Sequence, residues 1–117
     1  MSRKRRDKEY LADVVEAMQR IVVYTGGLSY EEFLIDRKTQ DAVLRNLQVM
    51  GEAVKKLSAL TKQAHPHLPW KQIAGMRDKV VHDYFGINYD IVWALGKEEL
   101  PALLPSLIAI HPAGEQP

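Results

Sequence analysis

Arg77, His82 and Tyr84 stand in one short segment, Arg77-Asp78-Lys79-Val80-Val81-His82-Asp83-Tyr84. Their types and spacing suit chemistry at an anion. The guanidinium of Arg77 is a planar, permanently charged fork that matches two oxygens of a carboxylate or a phosphate. The imidazole of His82 titrates near neutral pH and can take or give a proton. Asp78 lies four residues before His82, so on a helix it could orient the ring and raise its pKa. The same two residues would equally make a plain surface pair.

On a helical wheel over residues 70–85, Ile73, Met76, Val80, Val81 and Tyr84 form one broad apolar face. Arg77 falls near its middle, where a charge needs a partner or a site. Two readings fit: an interhelical salt bridge, with Glu52 as the candidate partner, or a phosphate clamp. Arg77 and His82 are five residues apart, so an unbroken helix points them about 140° apart. Either the helix loosens near His82, where Asp83 and Gly86 allow a turn, or two protomers contribute across a shared cleft. The second arrangement predicts a symmetric dimer with a composite site.

The elements that must carry these residues read as helices. Leu11, Val14, Val15, Met18, Ile21 and Val22 follow the spacing of one helical face, and Gly26-Gly27 is a stop signal. Ser29 with Glu32 three residues on makes a capping box. Val43, Leu47, Met50, Val54 and Leu57 form a near-heptad seam, which predicts a helix from near Asp36 or Thr39 to about Lys62. Gly51 inside it costs about 1 kcal/mol against alanine. Such a glycine fits the close approach of another backbone, or a tolerated defect.

His65-Pro66-His67-Leu68-Pro69 must be a loop, because each proline pushes its predecessor out of the α region. Pro69 opens the next helix, with Trp70, Ile73, Met76, Val80 and Tyr84 along it, until Gly86 interrupts. Tyr89, Ile91, Val92 and Trp93 form a short segment ending near Gly96. Glu98, Glu99 and Pro101 open a last helix with Leu100, Leu103, Leu104, Leu107 and Ile108, which Pro105 should kink. No alternation of apolar and polar residues suggests a sheet. The expected fold is all-α: an up-and-down bundle of four to five helices, whose long seam also offers a dimer contact.

A chain of 117 residues suits a single domain over residues 1–117, with a basic arm at 1–6 and a tail at 111–117 that includes His111. The balance of 46% hydrophobic and 26% charged residues is that of a globular chain and not of a disordered one. The absence of cysteine excludes disulfides, thiolate metal sites and a cysteine nucleophile. No apolar run is long enough for a membrane helix or a signal peptide, so the expected compartment is the cytoplasm. Residues 3–8 sum to +4, which leaves the rest of the chain at −3. The body is therefore no basic nucleic-acid binder by charge alone, although the arm could touch phosphates. His65 and His67 flank a proline without a ligand set around them, so no metal site and no cofactor are expected. Trp70 and Trp93 read as core or interface aromatics.

The spacing Arg77-x4-His82-x-Tyr84 resembles the signature of the HepT type of the HEPN superfamily. Thr39-Gln40-Asp41-Ala42-Val43-Leu44-Arg45-Asn46-Leu47 with Gly51-Glu52-Ala53 is similar to that family's long second helix. Pro69-Trp70-Lys71-Gln72-Ile73-Ala74-Gly75-Met76-Arg77 is similar to its approach to the motif. Asp83-Tyr84-Phe85-Gly86 and Ile91-Val92-Trp93 are similar to its segment after the motif. The likeness covers roughly residues 7–110.

The resemblance implies an α-helical homodimer whose motifs meet in a cleft, acting as a metal-independent endoribonuclease toxin on RNA. By the resemblance, His82 is the acid or base and Arg77 the phosphate clamp, with Asp78 the polar residue directly after the arginine; Glu52 could pair with Arg77 or help the site. It further implies a type VII toxin–antitoxin pair, in which an MntA-type nucleotidyltransferase antitoxin transfers AMP from ATP onto Tyr84. Bulky anionic AMP groups there would occupy the phosphate site and neutralise the clamp. Tyr84 equally reads as a half-buried core tyrosine. The alternative is a non-catalytic accessory module that binds a nucleotidyltransferase or a nucleotide, with Arg77 and His82 structural.

Overall fold

Helix α1 (Asp7–Gly26) turns Leu11, Val14, Val15, Met18 and Ile21 inward, the spacing of one helical face. The computed structural model describes residues 6–81 and 86–110. Within them every regular element is helical: α1, α2 (Tyr30–Ile35), α3 (Arg37–Lys56), α4 (Ala59–Ala64), α5 (Trp70–Ala74), α6 (Met76–Val80), α7 (Tyr89–Ala94) and α8 (Leu100–Ile110). A π-helical turn, Leu95–Glu99, joins α7 to α8. The expected all-α bundle is what forms. No described helix is long and apolar enough to cross a membrane.

Helix α3 is the centre of the fold, packed against α1 on one side and against α5 and α6 on another. Its seam residues Val43, Leu47, Met50 and Val54 are fully buried. Phe33 of α2 is also fully buried; it packs tilted against Trp93 and edge-on against Tyr89, with ring centroids 5.3 and 6.1 Å away. Side chains of this size each contribute about 1.5–3 kcal/mol by leaving water. The capping box at the start of α2 forms as read: Ser29 Oγ accepts from the Glu32 N–H, and the Glu32 carboxylate accepts from the Ser29 N–H. Trp70 is buried and its indole N–H donates to the His65 carbonyl, a core role for this aromatic.

Several helix boundaries differ from expectation, two of them away from the Arg77 segment. The long helix does not run to Lys62; it ends at Lys56, Leu57 is extended, and Ser58 caps a separate α4. The reason is a distant residue. Asp7, at the start of α1, accepts from the backbone N–H and hydroxyl of Ser58 and from the hydroxyl of Thr61. That knot stops α3, starts α4 and fixes α1 antiparallel to α3. The second difference lies at Gly96. It does not end a helix, because α7, the π turn and α8 run on without a gap. Pro101 has no N–H for the carbonyl four residues earlier, and the widened turn falls directly upstream of it.

The Asp7 knot has a pH signature. Hydrogen bonds from the Ser58 and Thr61 side chains, above all, hold the Asp7 carboxyl below its ordinary value of 3.8. The folded state therefore binds this proton less readily than the unfolded chain. The stabilisation is complete above the unfolded value and is lost as pH falls through the lower, folded one. Denaturant melts between about pH 2.5 and pH 6 should show wild type losing stability faster than Asp7→Asn below about pH 4. Parallel acid limbs would show that the knot does not depend on the charge.

Gly96 is buried against Thr25 of α1, whose hydroxyl donates to the Ile21 carbonyl at 2.9 Å. A Cβ at position 96 would lie 2.8 Å from Thr25 Oγ1 and 2.9 Å from Thr25 Cγ2. Gly96→Ala should therefore destabilise by about 1–2 kcal/mol through overpacking. Combined with Thr25→Ala, the total loss should be smaller than the sum of the single losses in a double-mutant cycle. Additive losses would mean the clash is relieved elsewhere.

Candidate active site

The site is built where α3 meets α5 and α6. Gly51, towards the end of α3, touches the backbone of Ala74: a Cβ there would sit 2.9 Å from the Ala74 carbonyl oxygen. The mid-helix glycine thus serves close backbone approach. Gly75 then separates α5 from α6, its N–H shared between the carbonyls of Lys71 and Gln72, both at 3.2 Å. The break matters for Arg77. In α6 the buried positions are Met76 and Val80, four apart, so Arg77 is turned outward.

Arg77 is therefore not in the middle of an apolar face. Its side chain is 47% exposed and pairs with the adjacent Asp78, Nη1 to Oδ1 at 3.3 Å. The wheel over residues 70–85 assumes one continuous helix, and the break at Gly75 changes the register. The interhelical pair with Glu52 is not what forms. Glu52 instead lines the same groove as Arg77, together with Gln48, Gly51, Lys55, Ala74 and Asp78. The groove holds about 210 Å³. That is below the about 300–1,000 Å³ usual for small-molecule pockets.

Helix α6 ends at Val80, and Val81 is extended, with φ −99° and ψ 120°. Val81 forms an isolated antiparallel bridge with Ile87, and the Asn88 N–H donates to the Val80 carbonyl at 2.8 Å. Asn88 also caps α7, its Oδ1 accepting from the Ile91 N–H at 3.1 Å. Gly86 takes φ +90°, the left-handed region that favours glycine. The helix thus ends before His82. The regular spacing that made Asp78 and His82 helical neighbours stops with it. His82, Asp83, Tyr84 and Phe85 lie outside the described residues, as do residues 1–5 of the arm and 111–117 of the tail.

The described part of the site therefore brings together Arg77, Asp78 and Glu52 and adds two polar residues not foreseen, Gln48 and Lys55. Their signal was present in the sequence. Gln48, Glu52 and Lys55 follow the i, i+4, i+7 spacing on the polar side of α3, opposite its seam. Among the described residues, no three of His, Cys, Asp or Glu come together as a metal site.

The described residues form an all-helical bundle with an outward arginine over a polar groove. The chain belongs to the HepT-like ribonuclease family, whose description is "Ribonuclease HepT-like" and whose model matches residues 14–110. It is similar to the "Probable ribonuclease HepT" of Thermococcus cleftensis, 44% identical over 100 residues, which cover 86% of this chain and 91% of that one. It is also similar to the "Putative RNase MJ1216" of Methanocaldococcus jannaschii, 44% identical over 100 residues, 86% of this chain and 83% of that one. No solved structure gives a significant match.

Proposed function

We propose that this protein is a metal-independent endoribonuclease toxin that cuts RNA at a composite site formed by two copies of the chain. The carrying observation is that Arg77 is held outward on a polar groove by the buried anchors Met76 and Val80, and its counter-ion among the described residues is an exposed neighbouring carboxylate. A phosphate can displace such a partner, because exposed pairs are worth about 0–1 kcal/mol. Membership of a ribonuclease family supports the same reading.

In the proposed reaction a base takes the proton of a 2′-hydroxyl, and that oxygen attacks the adjacent phosphorus. The bond to the 5′-oxygen breaks, and an acid protonates the leaving group. The products are a 2′,3′-cyclic phosphate and a 5′-hydroxyl, with no net change in protons. Arg77 offsets the charge that builds on the phosphorane oxygens. His82 serves as acid or base, and a dimer supplies two copies of it. Asp78 and Glu52 tune the field at the groove. A partner nucleotidyltransferase of the MntA type would silence the toxin by adding AMP to Tyr84, since that group brings anionic charge to the arginine.

The test is cleavage of total RNA and tRNA by the purified protein in EDTA, made without any nucleotidyltransferase, with His82→Ala beside it. Cleavage by wild type and its loss in His82→Ala are expected. If intact mass confirms an unmodified Tyr84 and neither protein cuts, the chain acts as a non-catalytic binding module instead.

A further inference from the structure

The groove holds a second cation that the proposed reaction does not use. Lys55 of α3 is exposed, lines the groove with Arg77, and has no side-chain ion-pair partner among the described residues. The groove's formal charges are the cations Arg77 and Lys55 against the carboxylates Glu52 and Asp78, a balance of zero. Without Lys55 the balance is −1. A polyanion would then meet net repulsion at the place where Arg77 must receive it. Lys55 has no paired carboxylate among the described residues, so it can draw an anionic strand in without displacing a counter-ion, as Arg77 must. Gln48, one turn before Glu52 on the same face, offers an amide donor beside it.

We propose that Lys55 is an RNA-binding residue. Its ammonium takes a second phosphate of the strand that Arg77 holds, so the groove between α3 and α6 grips a single strand at two points. The proposal rests on the reading of this groove as an RNA site. Lys55 also stands in the last turn of α3, where a cation favours the helix end wherever it points. Lys56 separates the two roles. It shares that last turn but lines the groove between α1 and α3, with Tyr10, Asp13 and Arg45, which shares Glu52 with the first groove but neither Arg77 nor Lys55.

The experiment measures binding of a labelled single-stranded RNA of about 12 nucleotides to full-length protein carrying His82→Ala, which keeps the strand intact. Affinity is followed from about 50 to 300 mM salt, where each phosphate contact adds about 0.7 to the log–log slope for a single strand. Lys55→Gln should flatten the slope by about 0.7 and weaken low-salt binding by about threefold or more. Lys56→Gln should leave the slope unchanged. If Lys55→Gln leaves the slope intact while Arg77→Ala weakens binding, Lys55 is no phosphate ligand and the proposal falls alone. Equal losses from Lys55→Gln and Lys56→Gln would also overturn it, in favour of diffuse attraction. If neither Arg77→Ala nor Lys55→Gln changes binding, the groove is not the RNA site, and the functional reading falls with the proposal.

Discussion

Replacing Arg77 with alanine should lower RNA cleavage by about a hundred- to a thousandfold, the usual cost of removing one charge-stabilising group from a reaction centre. Stability should change by less than about 1 kcal/mol. The split comes from where the side chain sits. It is half exposed, its ion pair is with an adjacent exposed carboxylate, and Met76 and Val80 hold α6 in place without it. Arg77→Lys keeps the charge but loses the two-pronged geometry, so it should recover only part of the activity. Single-turnover rates together with thermal melts would check this. Cleavage within about threefold of wild type in Arg77→Ala would remove the arginine from the chemistry.

Filling the space at Gly51 should act on fold and site together. Replacing a mid-helix glycine with alanine ordinarily stabilises a helix by about 1 kcal/mol. Here the sign reverses, because the new Cβ would meet the Ala74 carbonyl oxygen at 2.9 Å, and a backbone atom cannot rotate aside. Gly51→Ala should destabilise, and Gly51→Leu should cost about 3 kcal/mol. That corresponds to a fall in Tm on the order of 10 °C. The only relief is to move α5 away from α3, and α6 goes with α5 through Gly75. Arg77 then shifts relative to Glu52 and Lys55, so cleavage at a temperature where the variant is still folded should also fall. Full activity in a folded Gly51→Leu protein would show that α6 is positioned by other contacts.

The helical class, the buried face of α1 and the seam of α3 were legible because each depends on local periodicity. So was the capping box at Ser29, which needs only a residue three positions on. Position 51 was half legible: a glycine inside a strong helical seam fitted either a close backbone or a tolerated defect, and the Ala74 carbonyl decides for the first. The arginine's surroundings were not legible. A wheel places Arg77 on an apolar face because it runs through Gly75 as though the helix were unbroken. The roles of Gln48 and Lys55 stayed hidden because a polar face shows only that it avoids the core, not what lies opposite.

By itself, then, the sequence determined the helical class and most of the buried faces, and it marked Arg77 to Tyr84 as the candidate segment for the chemistry. Periodicity, caps and breakers act within a few residues, and the resemblance of Arg77-x4-His82-x-Tyr84 is a matter of spacing. The tertiary structure alone decided where α3 stops, because Asp7 reaches Ser58 and Thr61 from 51 and 54 residues away. It alone turned Arg77 outward over α3, because the contact of Gly51 with Ala74 and the break at Gly75 set the rotation of α6. Both outcomes depend on contacts between elements distant along the chain, and no local pattern of residues encodes those.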